Sequence, residues 1–171
     1  MNPTQELLTI NDLHTASRVK DTYFNAVDGG SISLKKKEIL ATVGESGCGK
    51  STLATSIIGL LDPNNSKITG EIKFRGINLA TLTDDKLNNV RGNDIGMIFQ
   101  DPLSALNPLM RIGDQIEEGL IYHTKMSKSE RSHRVIELLN QVGIPNPKRV
   151  VRQFPHQLSG GMRQRVIIAI A

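Results

Sequence analysis

The sequence predicts an α/β fold, and three observations carry that prediction. The segment Glu38-Ile39-Leu40-Ala41-Thr42-Val43 reads as a buried strand entering the glycine-rich stretch Gly44–Thr52. An apolar face at helical spacing, Leu53, Ala54, Ile57, Ile58 and Leu61, leaves it. The first forty residues carry β patterning, whereas from Ile112 onward the apolar residues recur at helical intervals.

At 171 residues the chain is long enough for one ordinary domain with a real core. Its 38% hydrophobic and 22% charged content is that of a soluble globular protein. No run approaches the length of a membrane-spanning helix, and the N-terminus has no apolar signal-peptide core. A membrane role is therefore expected to come through a partner. The net charge of +4 is scattered, its one run being Lys35-Lys36-Lys37, and aromatics make up only 4%. No stacking platform is visible, so direct nucleic-acid recognition is disfavoured. The single cysteine, Cys48, excludes an internal disulfide framework and suits a reducing compartment.

In chain order, Leu8, Ile10 and Leu13 begin a strand, and Ser31-Ile32-Ser33-Leu34 alternates polar and apolar. A polar loop carrying Tyr23 and Phe24 is expected between them. After the helix leaving Gly44–Thr52, Asp62-Pro63 is the expected stop. Ile72 and Phe74 fall on one face of the next strand. Thr83 is a candidate N-cap, with Asp84 and Asp85 in the first turn of a short helix ending near Arg91-Gly92. Ile95-Gly96-Met97-Ile98-Phe99 reads as a second buried strand. Ile112, Ile116, Leu120 and Ile121 form one helical stripe. Ser127 with Glu130 is a capping box for a helix whose face is Val135, Leu138, Leu139 and Val142, closed by Gly143 and Pro145. Ser159 precedes the last helix.

The stretch Gly44-Glu45-Ser46-Gly47-Cys48-Gly49-Lys50-Ser51-Thr52 matches G-x-x-x-x-G-K-[ST], the phosphate-binding loop. Gly44, Gly47 and Gly49 allow positive φ and close backbone approach, so successive N–H groups can line a nest at a helix N-terminus. Lys50 is the candidate ligand of the β- and γ-phosphates, and Ser51 of Mg²⁺. Inside such a loop Cys48 reads as a small filler, although its alkylation would block the site. The expected ligand is a nucleoside triphosphate.

Such loops serve kinases, GTPases, helicases and transporter motors alike, and two further stretches separate these. Leu158-Ser159-Gly160-Gly161-Met162-Arg163-Gln164-Arg165 closely resembles the signature motif of ATP-binding cassette (ABC) ATPases. A serine and two glycines at a helix start form a second phosphate cradle. The resemblance implies that Ser159, Gly160 and Gly161 act in trans, facing the γ-phosphate on another subunit's loop. Gly96 through Pro108 resembles the family's Q-loop, which implies that Gln100 contacts Mg²⁺ and the attacking water. The wording Phe99-Gln100-Asp101-Pro102-Leu103-Ser104-Ala105-Leu106-Asn107-Pro108 is similar to the dipeptide/oligopeptide import branch, as is Gln153-Phe154-Pro155-His156-Gln157. Nickel or another small solute is the weaker alternative to peptides.

The resemblance covers about Leu7 to Ala171. It implies one incomplete nucleotide-binding domain: a P-loop NTPase core with an N-terminal antiparallel β-subdomain over 1–102, a helical subdomain over 103–159, and the start of the signature helix over 160–171. It further implies ATP and Mg²⁺ as ligands, a second ABC ATPase subunit and transmembrane permease subunits as partners, and indirectly a solute-binding protein. The implied place is the cytoplasmic face of a bacterial plasma membrane.

The chain also departs from the family. Hydrolysis there needs an apolar strand ending in Asp-Glu, then a switch histidine, all beyond the signature helix; here no Asp or Glu follows Glu137, and His123, His133 and His156 all precede that helix. Asp101 does not substitute, because Pro102 occupies the next position. Ser17 stands where the family places an aromatic ring under adenine, leaving Tyr23 or Phe24 as substitutes. Lys37 stands where a glycine commonly ends the turn. The expectation is a truncated chain lacking the C-terminal part of the core sheet, without steady-state turnover of its own. The alternatives are a non-catalytic or non-functional fragment that binds nucleotide or pairs with a full-length relative, and a soluble ABC ATPase acting on nucleic acid.

Overall fold

The computed structural model describes residues 6–99, 101 and 105–171, and the chain divides into two compact units, Met1–Asn88 and Asn89–Ala171. The first unit is built on a four-stranded antiparallel sheet in the order β2-β1-β3-β4, formed by β1 (Glu6–Val19), β2 (Thr22–Lys35), β3 (Ser66–Phe74) and β4 (Ile77–Asn78). Ile10 sits opposite Ile32 on one side and Ile72 on the other, and Ile10, Leu13, Ile72 and Phe74 are buried. The side-chain alternation that predicted Ile72 and Phe74 on one face is the one observed. Helix α1 (Lys50–Ile57) packs against β1 and β2, and α2 (Asp84–Val90) follows with Asp84 and Asp85 in its first turn.

Four expectations need correction. Tyr23 and Phe24 lie on β2, not in a loop: a two-residue turn, Lys20-Asp21, joins β1 to β2, and Ser17 pairs with Phe24 and Arg18 with Tyr23. Residues 38–43 form no strand, and Ile39 and Val43 are 96% and 91% exposed. The second expected buried strand, 95–99, is likewise irregular beyond one bridge between Arg91 and Ile95, with Ile98 and Phe99 exposed. The physical reason is common to both segments. Apolar side chains make a strand only where a neighbour supplies backbone partners, and the sheet of the described residues includes neither segment. Finally, α1 stops at Ile57, short of Leu61. Gly59 takes φ 63°, its N–H bonds the Ser56 carbonyl, and the Leu60 N–H bonds the Thr55 carbonyl. These are the two bonds of a Schellman ending, set by the glycine before the Asp62-Pro63 stop is reached.

The second unit is helical. Helices α3 (Ile112–His123), α4 (Lys128–Gln141), α5 (Pro147–Val150) and α6 (Gly160–Ile170) enclose a core of Ile112, Ile116, Val135, Leu139, Ile144, Val150, Leu158, Val166 and Ile167, with Leu138 and Val142 packed against it. Both sequence-derived stripes therefore face this core, except that Ile121 is exposed. The capping box at α4 is present as expected: Ser127 N–H donates to Glu130 Oε2 at 2.7 Å, and Glu130 N–H to Ser127 Oγ at 3.4 Å. Among the described residues no helix is long and apolar enough to cross a membrane.

Candidate functional site

The loop Gly44–Thr52 in the first unit takes the geometry that its glycines allow. Gly47 and Gly49 have φ of 83° and 88°, the left-handed region in which a side chain is strained. Gly49 is also the N-cap of α1, and a Cβ there would run into the Ala26 carbonyl oxygen of β2. The loop is thus seated against the sheet at a point only glycine fits. Helix α1 has no side-chain cap and no acidic residue in its first turn. Its leading N–H groups and positive dipole end are left to an anion.

Lys50 folds back across the loop. Its ammonium donates to the Gly44 and Glu45 carbonyl oxygens at 2.7 and 2.6 Å and lies 3.3 Å from Cys48 Sγ. The cation is therefore held over the loop by neutral acceptors, and among the described residues no carboxylate is bonded to it. Ser51 is exposed, as are Gly44, Glu45, Ser46, Gly47 and Cys48, while Thr52 is half-buried. The helix behind the loop is pinned from below. Thr15 Oγ1 and Ser56 Oγ, 0% and 3% exposed by residue, hydrogen-bond at 2.9 Å, and Ser56 also donates to the Thr52 carbonyl at 2.7 Å. Sequence reasoning missed this pin. The available signal was Ser56 sitting within the otherwise apolar face of the helix.

The site residues do not all belong to one unit. Ser159, Gly160 and Gly161 lie in the second unit, where Ser159 is the N-cap of α6 and its Oγ accepts the Met162 N–H at 3.3 Å. A Cβ on Gly160 or Gly161 would meet nothing within 4 Å, so both face open space. Arg165, in the same motif, donates to the Gly143 carbonyl at 2.8 Å and ties α6 to the end of α4. Gln100 lies outside the described residues, as do Pro102, Leu103 and Ser104. Lys37 has φ 67°, the conformation for which the family's glycine at that turn is suited. Of the candidate aromatic substitutes, Tyr23 lies under the Lys67 ammonium at 4.1 Å and Phe24 is exposed. A cavity of about 480 Å³ in the first unit, lined by Glu6, Lys36, Lys73 and Arg75 among others, includes no loop residue.

Comparison with known proteins gives the family. The family model described as ABC transporter matches residues 27–171. The chain is 51% identical to the oligopeptide transport ATP-binding protein OppD of Lactococcus lactis subsp. cremoris (strain SK11), across 98% of this chain and 50% of that protein. It is 47% identical to the dipeptide transport ATP-binding protein DppD of Bacillus subtilis (strain 168), with the same coverage of both chains. The chain thus spans about half the length of the curated relatives it matches. Among solved structures, the dimeric structure of MJ0796, a bacterial ABC transporter cassette, superposes with a TM-score of 0.82 at 30% identity, covering 95% of this chain and 68% of that one. The same cassette in a post-hydrolysis state, bound to ADP and Pi, gives 0.83 at the same identity and coverage. A glycine-seated phosphate loop, a serine-capped signature helix and these matches together place the chain in the ABC transporter family of ATPases.

Proposed function

We propose that this chain is the nucleotide-binding portion of a subunit that powers peptide import through a membrane permease. The observation that carries the reading is the start of α1: a left-handed glycine N-cap, no side-chain cap, and a lysine held over the loop by carbonyl oxygens. The loop N–H groups would take the phosphate oxygens of ATP, and the Lys50 ammonium would exchange its carbonyl partners for the β- and γ-phosphates. Ser51, with Gln100, is the donor set for Mg²⁺, which when bound neutralises charge on the phosphates. The exposure of Ser51 leaves its hydroxyl accessible to a ligand. The exposed Ser159-Gly160-Gly161 turn would serve in trans, closing the phosphate loop of a second ABC ATPase subunit, so two chains complete each other's sites. Peptides as cargo are supported by the likeness to the oligopeptide and dipeptide transport proteins OppD and DppD at 51% and 47% identity. The chain would then sit at the cytoplasmic face of the membrane by docking on the permease.

Binding and turnover separate in this reading. Glu137 is the last carboxylate of the 171 residues and precedes the signature helix, and we take nucleotide binding, not hydrolysis, as the activity that these 171 residues carry. We expect MgATP to bind and no phosphate to be released above a Lys50→Ala control. Titration with a fluorescent ATP analogue checks the first statement, and Lys50→Ala should weaken binding by roughly a hundredfold through loss of the phosphate-facing charge. Phosphate release above that control by the purified chain would sink the second.

The exposed Ser159-Gly160-Gly161 turn supports a second role. The chain could pair with a full-length relative and complete one site while its own stays silent. Co-expression followed by pull-down and ATPase assay decides this; no association and no inhibition removes it.

A further inference from the structure

Where β1 crosses β2 and β3, the ladder is interrupted on both sides of one histidine. The β1–β3 register jumps between Asn11 and His14, and the β1–β2 register shifts between Leu13, paired with Gly30, and Thr15, paired with Val27. Asp28 and Gly29 are thus bulged opposite His14, and Asp12 is bulged beside it, with φ 47° at Asp12 and 72° at Gly29. Side chains hold this interruption. His14 Nδ1 lies 2.9 Å from Asp28 Oδ1, and His14 Nε2 lies 3.1 Å from Asp12 Oδ1. Asn25 donates to the same Asp28 oxygen at 3.0 Å, and the Asp12 N–H donates to Ser31 Oγ at 3.0 Å.

An ionised carboxylate only accepts, so an imidazole that bonds one through each ring nitrogen must carry both protons. The bulge it closes immediately follows Ala26 and Val27 on β2. That is the seat of the phosphate loop: a Cβ at Gly49 would strike the Ala26 carbonyl and lie 3.7 Å from Val27 Cγ2. We propose that His14, as an imidazolium clamped between Asp12 and Asp28, is a proton-dependent positioning residue for the phosphate loop. It acts by fixing the β2 segment on which Gly49 rests. The nucleotide part of the proposal rests on the reading of Gly44–Thr52 as an ATP site.

The charges around the ring agree with the role. From β1 it faces Asp12 and from β2 Asp28. From β3 its register partner is uncharged Thr69; of the charges flanking that position, the Lys67 ammonium lies over Tyr23, and Glu71 is bonded to Asn11 and Lys73. The hydrogen bond to Asp28 is the largest influence; partial desolvation opposes it, and with the hydrogen bond to Asp12 and the charges of both carboxylates the net effect raises the His14 pKa from its ordinary 6.5. For a raised histidine pKa the clamp is fully formed below the unfolded value and is lost as pH rises through the folded value.

The test follows the ring and the loop together by NMR in the whole chain between pH 5.5 and 8.5, with a fluorescent ATP analogue and Mg²⁺ titrated in parallel. The expected result is a His14 midpoint above 6.5 that falls in Asp28→Asn, and a Gly49 amide shift with the same midpoint. Analogue affinity should be roughly threefold weaker at pH 8.5 than at pH 6. His14→Gln should remove the dependence at the weaker level. His14→Arg, a permanent cation with forked donors, should remove it at the tighter level and supplies a second variant should the glutamine chain not fold. A Gly49 amide that ignores the His14 titration, or a His14→Gln profile that matches the parent, overturns the clamp. Failure to bind the analogue at any pH overturns the nucleotide reading alone, and the amide titration still decides the clamp.

Discussion

Helix α1 begins at a left-handed Gly49 that offers no side-chain cap, whereas α6 begins at Ser159, whose hydroxyl already takes the Met162 N–H. Both starts are glycine-rich, and both are proposed here to face phosphate. The difference lies in what satisfies the leading N–H groups. At α6 the chain satisfies part of them itself, so the turn is stable without a ligand and can be presented to another molecule as a finished surface. At α1 the stabilisation of the helix start is left open, and the strain of a tight loop is absorbed by glycines pressed against β2. The proposed phosphate site would gain from helix-start donors that no side chain among the described residues caps.

The largest effect should come from filling the space that makes α1 different. Gly49→Ala places a methyl group against the Ala26 carbonyl and forces alanine to φ 88°. Each penalty alone runs to ~1–3 kcal/mol. We expect a loss of about 2–4 kcal/mol in urea unfolding of the first unit, together with loss of nucleotide-analogue binding. Retention of both would mean that the loop is not seated where the geometry puts it.

At α6 the corresponding change should be milder and should discriminate between two serine roles. Ser159→Ala removes the oxygen that caps Met162 and should cost about 1 kcal/mol in unfolding of the second unit, while Ser159→Gly should cost only a few tenths of that. If the turn also closes a partner's site, both variants should lose trans-complementation of a full-length relative, although the second loses little stability. Equal stability of Ser159→Ala and the parent would show that the cap is not used.

Much of this contrast is legible in the sequence. Gly44, Gly47, Gly49 and Lys50 have the spacing that the loop needs, Ser159 stands directly before an apolar helix, and Ser127 with Glu130 is a capping box by sequence alone. These are local signals, satisfied within one turn of chain. What the sequence hid depends on partners far along the chain. Ile39 and Val43 have every local mark of a strand, yet no strand of the described sheet pairs with them, and they lie exposed. Tyr23 and Phe24 looked like loop residues because the turn before them, Lys20-Asp21, uses a lysine at φ 57° instead of the usual Asn-Gly, and because Gly29-Gly30 resembles a turn but is part of β2 at a bulge. The Thr15–Ser56 pin and the His14 cluster join residues 41 and 14 positions apart, which periodicity cannot reveal.

Helix α4 sharpens the comparison from a third direction, because its start is satisfied by a charged group. Glu130 accepts the Ser127 N–H at 2.7 Å, and its own N–H bonds the Ser127 hydroxyl. The hydrogen bonds from Ser127 stabilise the carboxylate and hold its pKa below 4.5. A carboxyl with a lowered folded pKa contributes stability above its unfolded value and loses it as pH falls through the folded value. The second unit should therefore lose a small increment of stability on acidification below about pH 4.5, and Glu130→Gln, which keeps an acceptor but cannot ionise, should remove that part of the slope. The α6 cap is a neutral hydroxyl and should contribute no such slope, so Ser159→Ala should shift the curve without changing its shape. Parallel urea melts of the two variants between pH 3.5 and 7 separate a charged cap from a neutral one. A Glu130→Gln curve parallel to that of the parent would show that the bond to Ser127 does not depend on the charge.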